Sequence, residues 1–230
     1  MAADALSLNR AVVFGSAVVY WAGVYVQARR VRRRTGRSAN TWPRGLKETL
    51  LWAGWLFVVV AWLALPFLGR NGAGLLAVTI IPWLVHPVGC ALGMIMMVAG
   101  YLGTLWCYTA MGNSWRMGVN RAEKTGLVTR GPYRLVRHPI YLCQVTMVAA
   151  IPILLPSVVA LLVLIIHLFC VLTKAADEES HLRNILGRTY EAYYAHTGGW
   201  FPRLRRSESL AEPLSAAKCD TVKPTEHPIK

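Results

Sequence analysis

Charge is missing from most of this chain. No Asp, Glu, Lys or Arg occurs across 71–115 or across 138–173, and 11–28 and 49–69 are two further charge-free runs. A charged side chain at mid-bilayer costs about 2.5–3.5 kcal/mol on insertion scales. Gaps of this length are what lipid selects, and they exclude a soluble protein built on buried helices. Acid is scarce as well: 11 Asp and Glu stand against 25 Lys and Arg, a formal charge of +14. A basic surplus can mark nucleic-acid binding. Here, however, the Arg and Lys residues sit beside the apolar runs, where they meet anionic lipid, so membrane lipids and no nucleic acid are the expected partners. Cysteine is sparse, five residues with no CxxC spacing. An odd, scattered set excludes a disulfide framework, and no metal site is expected. Cys90, Cys107, Cys143 and Cys170 lie inside apolar runs and read as small hydrophobes. The N-terminus lacks a basic segment and a small-residue cleavage site ahead of its apolar run, so no cleaved signal peptide is expected. There is no internal repeat.

What is present can be counted as membrane crossings. The runs 11–28 and 49–69 are each just long enough to span as helices. Between them 29–37 carries six arginines, which the positive-inside rule puts in a cytoplasmic loop. The first helix then runs inward from an outside N-terminus and the second returns outward to a short turn at 70–72. The segment 110–137 is again strongly basic, with Arg116, Arg121, Lys124, Arg130, Arg134 and Arg137 against Glu123, and belongs inside. An odd number of crossings must precede it. This makes 87–109 the third span and leaves 73–86 as a re-entrant or interfacial piece. Pro152 and Pro156 divide 138–173 into two halves at the lower length limit for a span, a tight helical hairpin. The expectation is an all-α polytopic membrane protein with about five transmembrane helices, a C-terminal helical hairpin and a cytoplasmic pocket. It forms one domain over 1–206, followed by a polar tail, 207–230, of disordered composition. Oligomeric state leaves no signal.

Two polar clusters flank the hairpin. The first runs from Thr125, Gly126, Leu127 and Val128 through Gly131, Pro132 and Tyr133 to Arg137, His138, Pro139, Ile140 and Tyr141. The second holds Lys174, Asp177, Glu178, Glu179 and His181, then Gly187, Tyr190, Tyr193 and Tyr194. A helical hairpin returns its ends to one membrane face, so basic and aromatic groups from one cluster meet carboxylates from the other. Lys174 and Glu178 are four apart and share a helix face, as do Asp177 and His181. Carboxylates beside Arg137 and Lys174 stay ionised and can accept hydrogen bonds from an amine or from ribose hydroxyls. Tyr133 and Tyr141 can stack on an adenine or cover a sulfonium. Gly126 and Gly131 permit close backbone approach. Pro139 is suited to a first helical turn.

The set Leu127-Val128-Thr129, Gly131-Pro132-Tyr133, Arg137-His138-Pro139 and Tyr141, then an apolar hairpin, Glu178-Glu179, Leu182, Gly187, Tyr190, Tyr193 and Phe201-Pro202, resembles isoprenylcysteine carboxyl methyltransferases and their phospholipid-methyltransferase relatives. Asn113-Ser114-Trp115-Arg116-Met117-Gly118 is similar to the bacterial members. The resemblance covers roughly 100–203. It implies S-adenosyl-L-methionine as methyl donor. It also implies a cofactor pocket lined by Thr125, Gly126, Leu127, Val128, Tyr133, His138, Pro139, Ile140, Tyr141, Glu178 and Glu179, with Lys174 at the family's substrate-facing position; Lys174 and Arg137 are the expected catalytic residues. The family carries Arg where this chain has Lys174, which keeps the charge but loses the planar bidentate fork. Gly100 and Gly103 only approximate the Gly-x-Gly of the phospholipid branch.

Methyl transfer from a sulfonium to a carboxylate is a direct displacement with no obligatory proton transfer, so the protein's task is alignment and desolvation. In keeping with this, the chain shows no Ser-His-Asp or Cys-His set worth assigning. The expected function is methylation of a lipophilic acceptor that enters from the bilayer, first of all a prenylcysteine-like carboxylate. Trp115, Trp200 and Phe201 are candidate interfacial anchors. Two alternatives compete. One is an NADPH-dependent membrane reductase of the sterol-reductase kind, which usually has Asn where this chain has Ile140. The other is a non-catalytic scaffold holding anionic lipid.

Overall fold

The computed structural model describes residues 2–36, 45–68, 85–115 and 127–203. They form six helices: α1 (Ala2–Thr35), α2 (Leu46–Ala64), α3 (Pro87–Met111), α4 (Pro139–Leu154), α5 (Val158–Leu186) and α6 (Arg188–His196). Among the described residues the only β pairing is an isolated bridge between Val136 and Gly198. Helices α1, α2, α3 and α5 are long and apolar enough to cross a membrane, and α4 is a shorter apolar helix. The chain is an all-α integral membrane protein, and the five apolar helices are those expected from the charge gaps.

The six-arginine segment departs from expectation. It is not a loop, because α1 continues through Thr35 with Arg29, Arg30, Arg32, Arg33 and Arg34 exposed on its last turns. Arginine is a good helix former, and cations near a helix C-terminus interact favourably with its dipole. The turn expected at 70–72, nearly all of 73–86, the basic stretch 116–124 and the tail 207–230 lie outside the described residues. His86, at the edge of that gap, caps α3: its Nδ1 accepts from the Val88 amide at 3.3 Å, with Pro87 in the first helical position.

The hairpin turns at Leu155, Pro156 and Ser157. Pro152 falls inside the last turn of α4 rather than at the break. Ser157 caps α5 by accepting from the Ala160 amide at 3.2 Å. Beyond the apolar run α5 continues unbroken to Leu186, so the acidic cluster is carried on the spanning helix itself. Gly187 ends it with φ +50°, a conformation that favours glycine and lets α6 fold back.

Packing is tightest between α3 and α4, where glycines let the backbones approach, as small residues do in membrane bundles. A Cβ on Gly100 would stand 2.5 Å from Met147 Cγ and 2.8 Å from the Cys143 carbonyl oxygen, and one on Gly103 2.5 Å from Cys143 Sγ. The Gly100/Gly103 pair therefore serves helix packing. Gly100→Val is expected to cost about 2 kcal/mol by overpacking, read as a lowered thermal midpoint in detergent. The remaining helices close a ring: α1 packs on α2 and α4, and α5 packs on α2 and α4. The buried core includes Val13, Ala17, Tyr20, Val58, Trp62, Met147 and Ile151.

Candidate functional site

The ends of α4 and α5 meet on the arginine-bearing face, and the two polar clusters interlock there. His138 Nε2 lies 2.9 Å from Glu179 Oε1. Tyr141 donates to Glu178 Oε1 at 2.6 Å. Each pair joins residues some forty positions apart in sequence, as the hairpin requires. The rings of His138 and Tyr141 are stacked with centroids 5.9 Å apart. Pro139 occupies the first turn of α4. Ile140 turns to the core side, packing beside Cys107, Ala110 and Tyr133.

Arg137 is the structural centre of this face. Its side chain is 8% exposed and its Nε donates to Glu179 Oε1 at 2.9 Å. Its Nη1 donates to the carbonyls of Tyr194 and Thr197, and its guanidinium lies 3.9 Å from the centroid of the Tyr194 ring. One side chain thus ties the start of α4 to α5, to α6 and to the segment beyond. That segment forms a strap: the amide of Arg137 donates to the Gly198 carbonyl at 2.8 Å and the amide of His138 to that of Gly199 at 3.2 Å. Trp200 follows, its ring 5.8 Å from that of His138. So of the three expected anchors, Trp200 is turned inward onto the site. Trp115 is buried against Tyr108 at 5.4 Å, and Phe201 is exposed.

Tyr133 is buried, with its hydroxyl on Met111 Sδ at 2.9 Å and its carbonyl accepting from the Tyr193 hydroxyl at 2.6 Å. Burial pushes the Tyr193 phenol up to about 12, which keeps it a neutral donor. Of the two tyrosines offered as ring surfaces, Tyr141 is therefore the one placed beside a carboxylate. Gly131 makes the close approach expected of it, but toward α3, where a Cβ would sit 3.0 Å from Ala110 Cβ. Leu127 and Val128 are half-buried, with Val128 packed beside Tyr133. Thr125 and Gly126 lie outside the described residues.

On α5, Lys174 stands one turn before Glu178 on the same face. Asp177 faces α2, where Lys47 Nζ reaches its Oδ1 at 2.6 Å. Both partners are substantially exposed, so the pair contributes about 1 kcal/mol at most. What it does is place the start of α2 at the mouth of the ring beside the acidic cluster. Lys47 and the Gly198–Trp200 strap escaped sequence reading. The Gly-Gly pair before Trp200 was the available signal, a turn mark directly after an aromatic helix. A recess of about 310 Å³ lined by Ser7, Arg10, Phe14, Pro66 and Phe67 lies at the opposite end of the helices. Among the described residues no group of three or more His, Cys, Asp or Glu is placed to hold a metal ion.

This hairpin is similar to a known family. Residues 88–189 match the family model described as phospholipid methyltransferase. Over that stretch, somewhat less than half of its length, the chain is similar to that family. The match includes α3, α4 and all of α5, and so both carboxylates with their His138 and Tyr141 partners. Two curated relatives align with similar extent. The nickel-cobalt-cadmium resistance protein NccN of Alcaligenes xylosoxydans xylosoxydans is 28% identical over 119 residues, covering 51% of this chain and 52% of the relative. The cobalt-zinc-cadmium resistance protein CzcN of Cupriavidus metallidurans is 26% identical over 120 residues, covering 52% of each. The chain thus spans about half the length of the curated relatives it matches. The matched segment contains the site's geometry: a membrane hairpin whose two ends hold a histidine, a tyrosine and two carboxylates in hydrogen-bond contact.

Proposed function

We propose that this protein is an S-adenosylmethionine-dependent membrane methyltransferase whose acceptor is a lipophilic molecule, first of all a prenylcysteine-like carboxylate. The observation that carries this reading is the Tyr141–Glu178 contact at 2.6 Å, set beside the stacked His138 ring within a methyltransferase-family segment. The residues present suit an adenosyl sulfonium. Glu178 offers a carboxylate oxygen to an amine or to ribose hydroxyls. Tyr141, His138 and Trp200 offer aromatic surface for an adenine or a cation. Leu127 and Val128 offer apolar walls. When bound, the cofactor supplies an electrophilic methyl group. The chain's own residues orient the reactants and exclude water, since an ionised carboxylate is already a nucleophile.

Roles divide by contact. Glu178 and Tyr141 hold the cofactor. Glu179, His138 and Arg137 fix the frame in which they stand, which makes Arg137 a positioning residue. Lys174 is the cation assigned to the acceptor carboxylate, as a point charge rather than a fork. The basic end of α1, Lys47 and the motif clusters share one face, and the positive-inside rule makes it cytoplasmic. The water-soluble cofactor then enters from the cytoplasm and the acceptor sideways from the bilayer. The names of the two relatives describe resistance to metal ions and state no reaction.

Calorimetry on the detergent-purified protein tests the reading. S-adenosylmethionine and S-adenosylhomocysteine are expected to bind, and Glu178→Gln to weaken both at least about tenfold, the loss of one charge-assisted hydrogen bond. Binding of NADPH in place of the adenosyl compounds would transfer the site to a reductase. Absence of binding by any of them to a folded sample would end the enzymatic assignment.

A further inference from the structure

The end of the bundle away from the carboxylates holds an unanswered charge. There Arg10 of α1 lines the recess of about 310 Å³ together with Ser7, Phe14, Pro66 and Phe67. Its Nε is buried and has no hydrogen-bond partner among the described residues. The chain has little acid to send it. No Asp or Glu occurs across 5–47 or 49–122. Glu48 starts α2 at the other end, next to the Lys47–Asp177 pair, and the acids of α5 and α6 belong to that same end. Asp4 stands six residues back on α1, whereas helical neighbours are three or four apart.

Sequence also sets the depth of this arginine. The charge-free run 11–28 begins directly after Arg10 and ends directly before Arg29. At 1.5 Å per residue it reaches about 27 Å, close to the roughly 30 Å hydrocarbon layer. Arg10 therefore stands at headgroup level. The wall beside it is apolar: Phe14 and Phe67 meet edge to face at 5.0 Å, and both rings are exposed. A guanidinium has five N–H donors and no acceptor, so the group that answers it is an acceptor. A cation without a counter-charge at the edge of a low-dielectric layer makes that acceptor an anion. The volume of about 310 Å³ is at the lower end for small-molecule sites.

We propose that this recess binds the phosphate of an anionic phospholipid from the leaflet opposite the arginine-bearing face. Arg10 holds the phosphate, and the Phe14–Phe67 wall holds the start of an acyl chain. The bound lipid clasps α1 to α2, whose ends form the recess. A net-negative headgroup is preferred to a zwitterionic one, because the recess lining offers no carboxylate to a headgroup ammonium. A lipid fits better than a soluble anion, because the wall is apolar and exposed. The site is at the opposite end of the helices from Glu178, and it does not depend on the methyltransferase reading.

The test photocrosslinks the full chain in mixed micelles. Phosphatidylglycerol and phosphatidylcholine, each with a diazirine high on one acyl chain, are offered in turn, and the crosslinks are mapped by peptide mass spectrometry. Crosslinks at 7–14 and 66–68 report the recess. Those at 29–34 report the arginine-rich end of α1 and serve as the internal control. At the recess the wild type is expected to favour phosphatidylglycerol about tenfold, the worth of one charge-assisted hydrogen bond. The preference should fall to about one in Arg10→Gln. It should fall equally in Ser7→Asp, which places a carboxylate three residues before Arg10 and answers the charge from within the chain. Ser7 is exposed, so the second variant keeps the fold even where the first does not. Labelling at 29–34 should be unchanged in both. Equal labelling of the recess by the two lipids, a preference that survives either variant, a loss that appears equally at 29–34, or no labelling at 7–14 and 66–68 would overturn the assignment. sn-Glycerol 3-phosphate, a headgroup without a tail, is expected to leave the labelling intact at concentrations where phosphatidylglycerol saturates. Displacement by it would hand the recess to a soluble anion and overturn the lipid.

Discussion

Arg137→Ala is expected to destabilise the protein by about 3–5 kcal/mol, the cost of leaving a buried charge without its partner. Glu179 is 17% exposed at its side chain, and its Oε1 receives both Arg137 Nε and His138 Nε2. Removing the guanidinium strips the main counter-charge from that carboxylate. It also frees the Tyr194 and Thr197 carbonyls and removes a cation from the Tyr194 ring. Arg137→Lys should recover only part of the loss, because an ammonium cannot satisfy the carboxylate and two carbonyls in one plane. The check is a thermal melt in detergent without cofactor. A group that acted only on the acceptor would leave that melt unmoved, whereas a positioning group lowers it and weakens S-adenosylmethionine as a consequence. Arg137→Ala with an unchanged midpoint would return the residue to the acceptor side.

Gly198→Val is the second large effect. A Cβ at Gly198 would stand 1.7 Å from the carbonyl oxygen of Phe201 and 2.9 Å from its carbonyl carbon. These are backbone atoms and no rotamer relieves them, so the turn from Gly198 to Phe201 must open. The strap then loses its hydrogen bonds from the Arg137 and His138 amides, and Trp200 leaves the His138 ring. The cost should reach about 3 kcal/mol locally, more than for Gly100→Val, where a side chain shares the overlap. Because the strap lies outside the helices, beyond the end of α6, the helices should survive. The expected signature is a red-shifted Trp200 emission, faster proteolysis after 197, and loss of adenosyl binding with retained helicity. A parallel Gly199→Ala is milder, since its nearest neighbour is a guanidinium nitrogen at 3.2 Å.

Much of this was legible because lipid simplifies the code. Charge-free runs gave the crossings, and two prolines with the motif spacing gave the hairpin. The pairing of His138 and Tyr141 with Glu179 and Glu178 follows from a hairpin returning its ends to one face. What escaped has physical reasons too. The arginine run on α1 reads as a loop only if charge is taken to end a helix, whereas arginine continues one. The commitment of Arg137 to four partners depends on where the strap returns, and nothing in local sequence fixes that return. Tyr20 and Gln144 lie singly in apolar runs on different helices, and the hydrogen bond between them is a property of the bundle alone. Lys47 meets Asp177 across 130 positions with no pattern linking them.

One continuous helix carries both the lipid-facing run of α5 and the carboxylates at its end. The helix has 29 residues, but its charge-free part, 158–173, reaches only about 24 Å at 1.5 Å per residue, short of the roughly 30 Å hydrocarbon layer. A span that short is met by local thinning of the bilayer and by snorkelling of its flanking residues, so its depth and tilt follow the local thickness. The helix has no hinge between its membrane part and Glu178, so tilt is converted directly into displacement of the carboxylate relative to Tyr141. Chain length and order in the surrounding lipid thus become mechanical inputs to the site, and membrane thickness sets how closely its two halves meet.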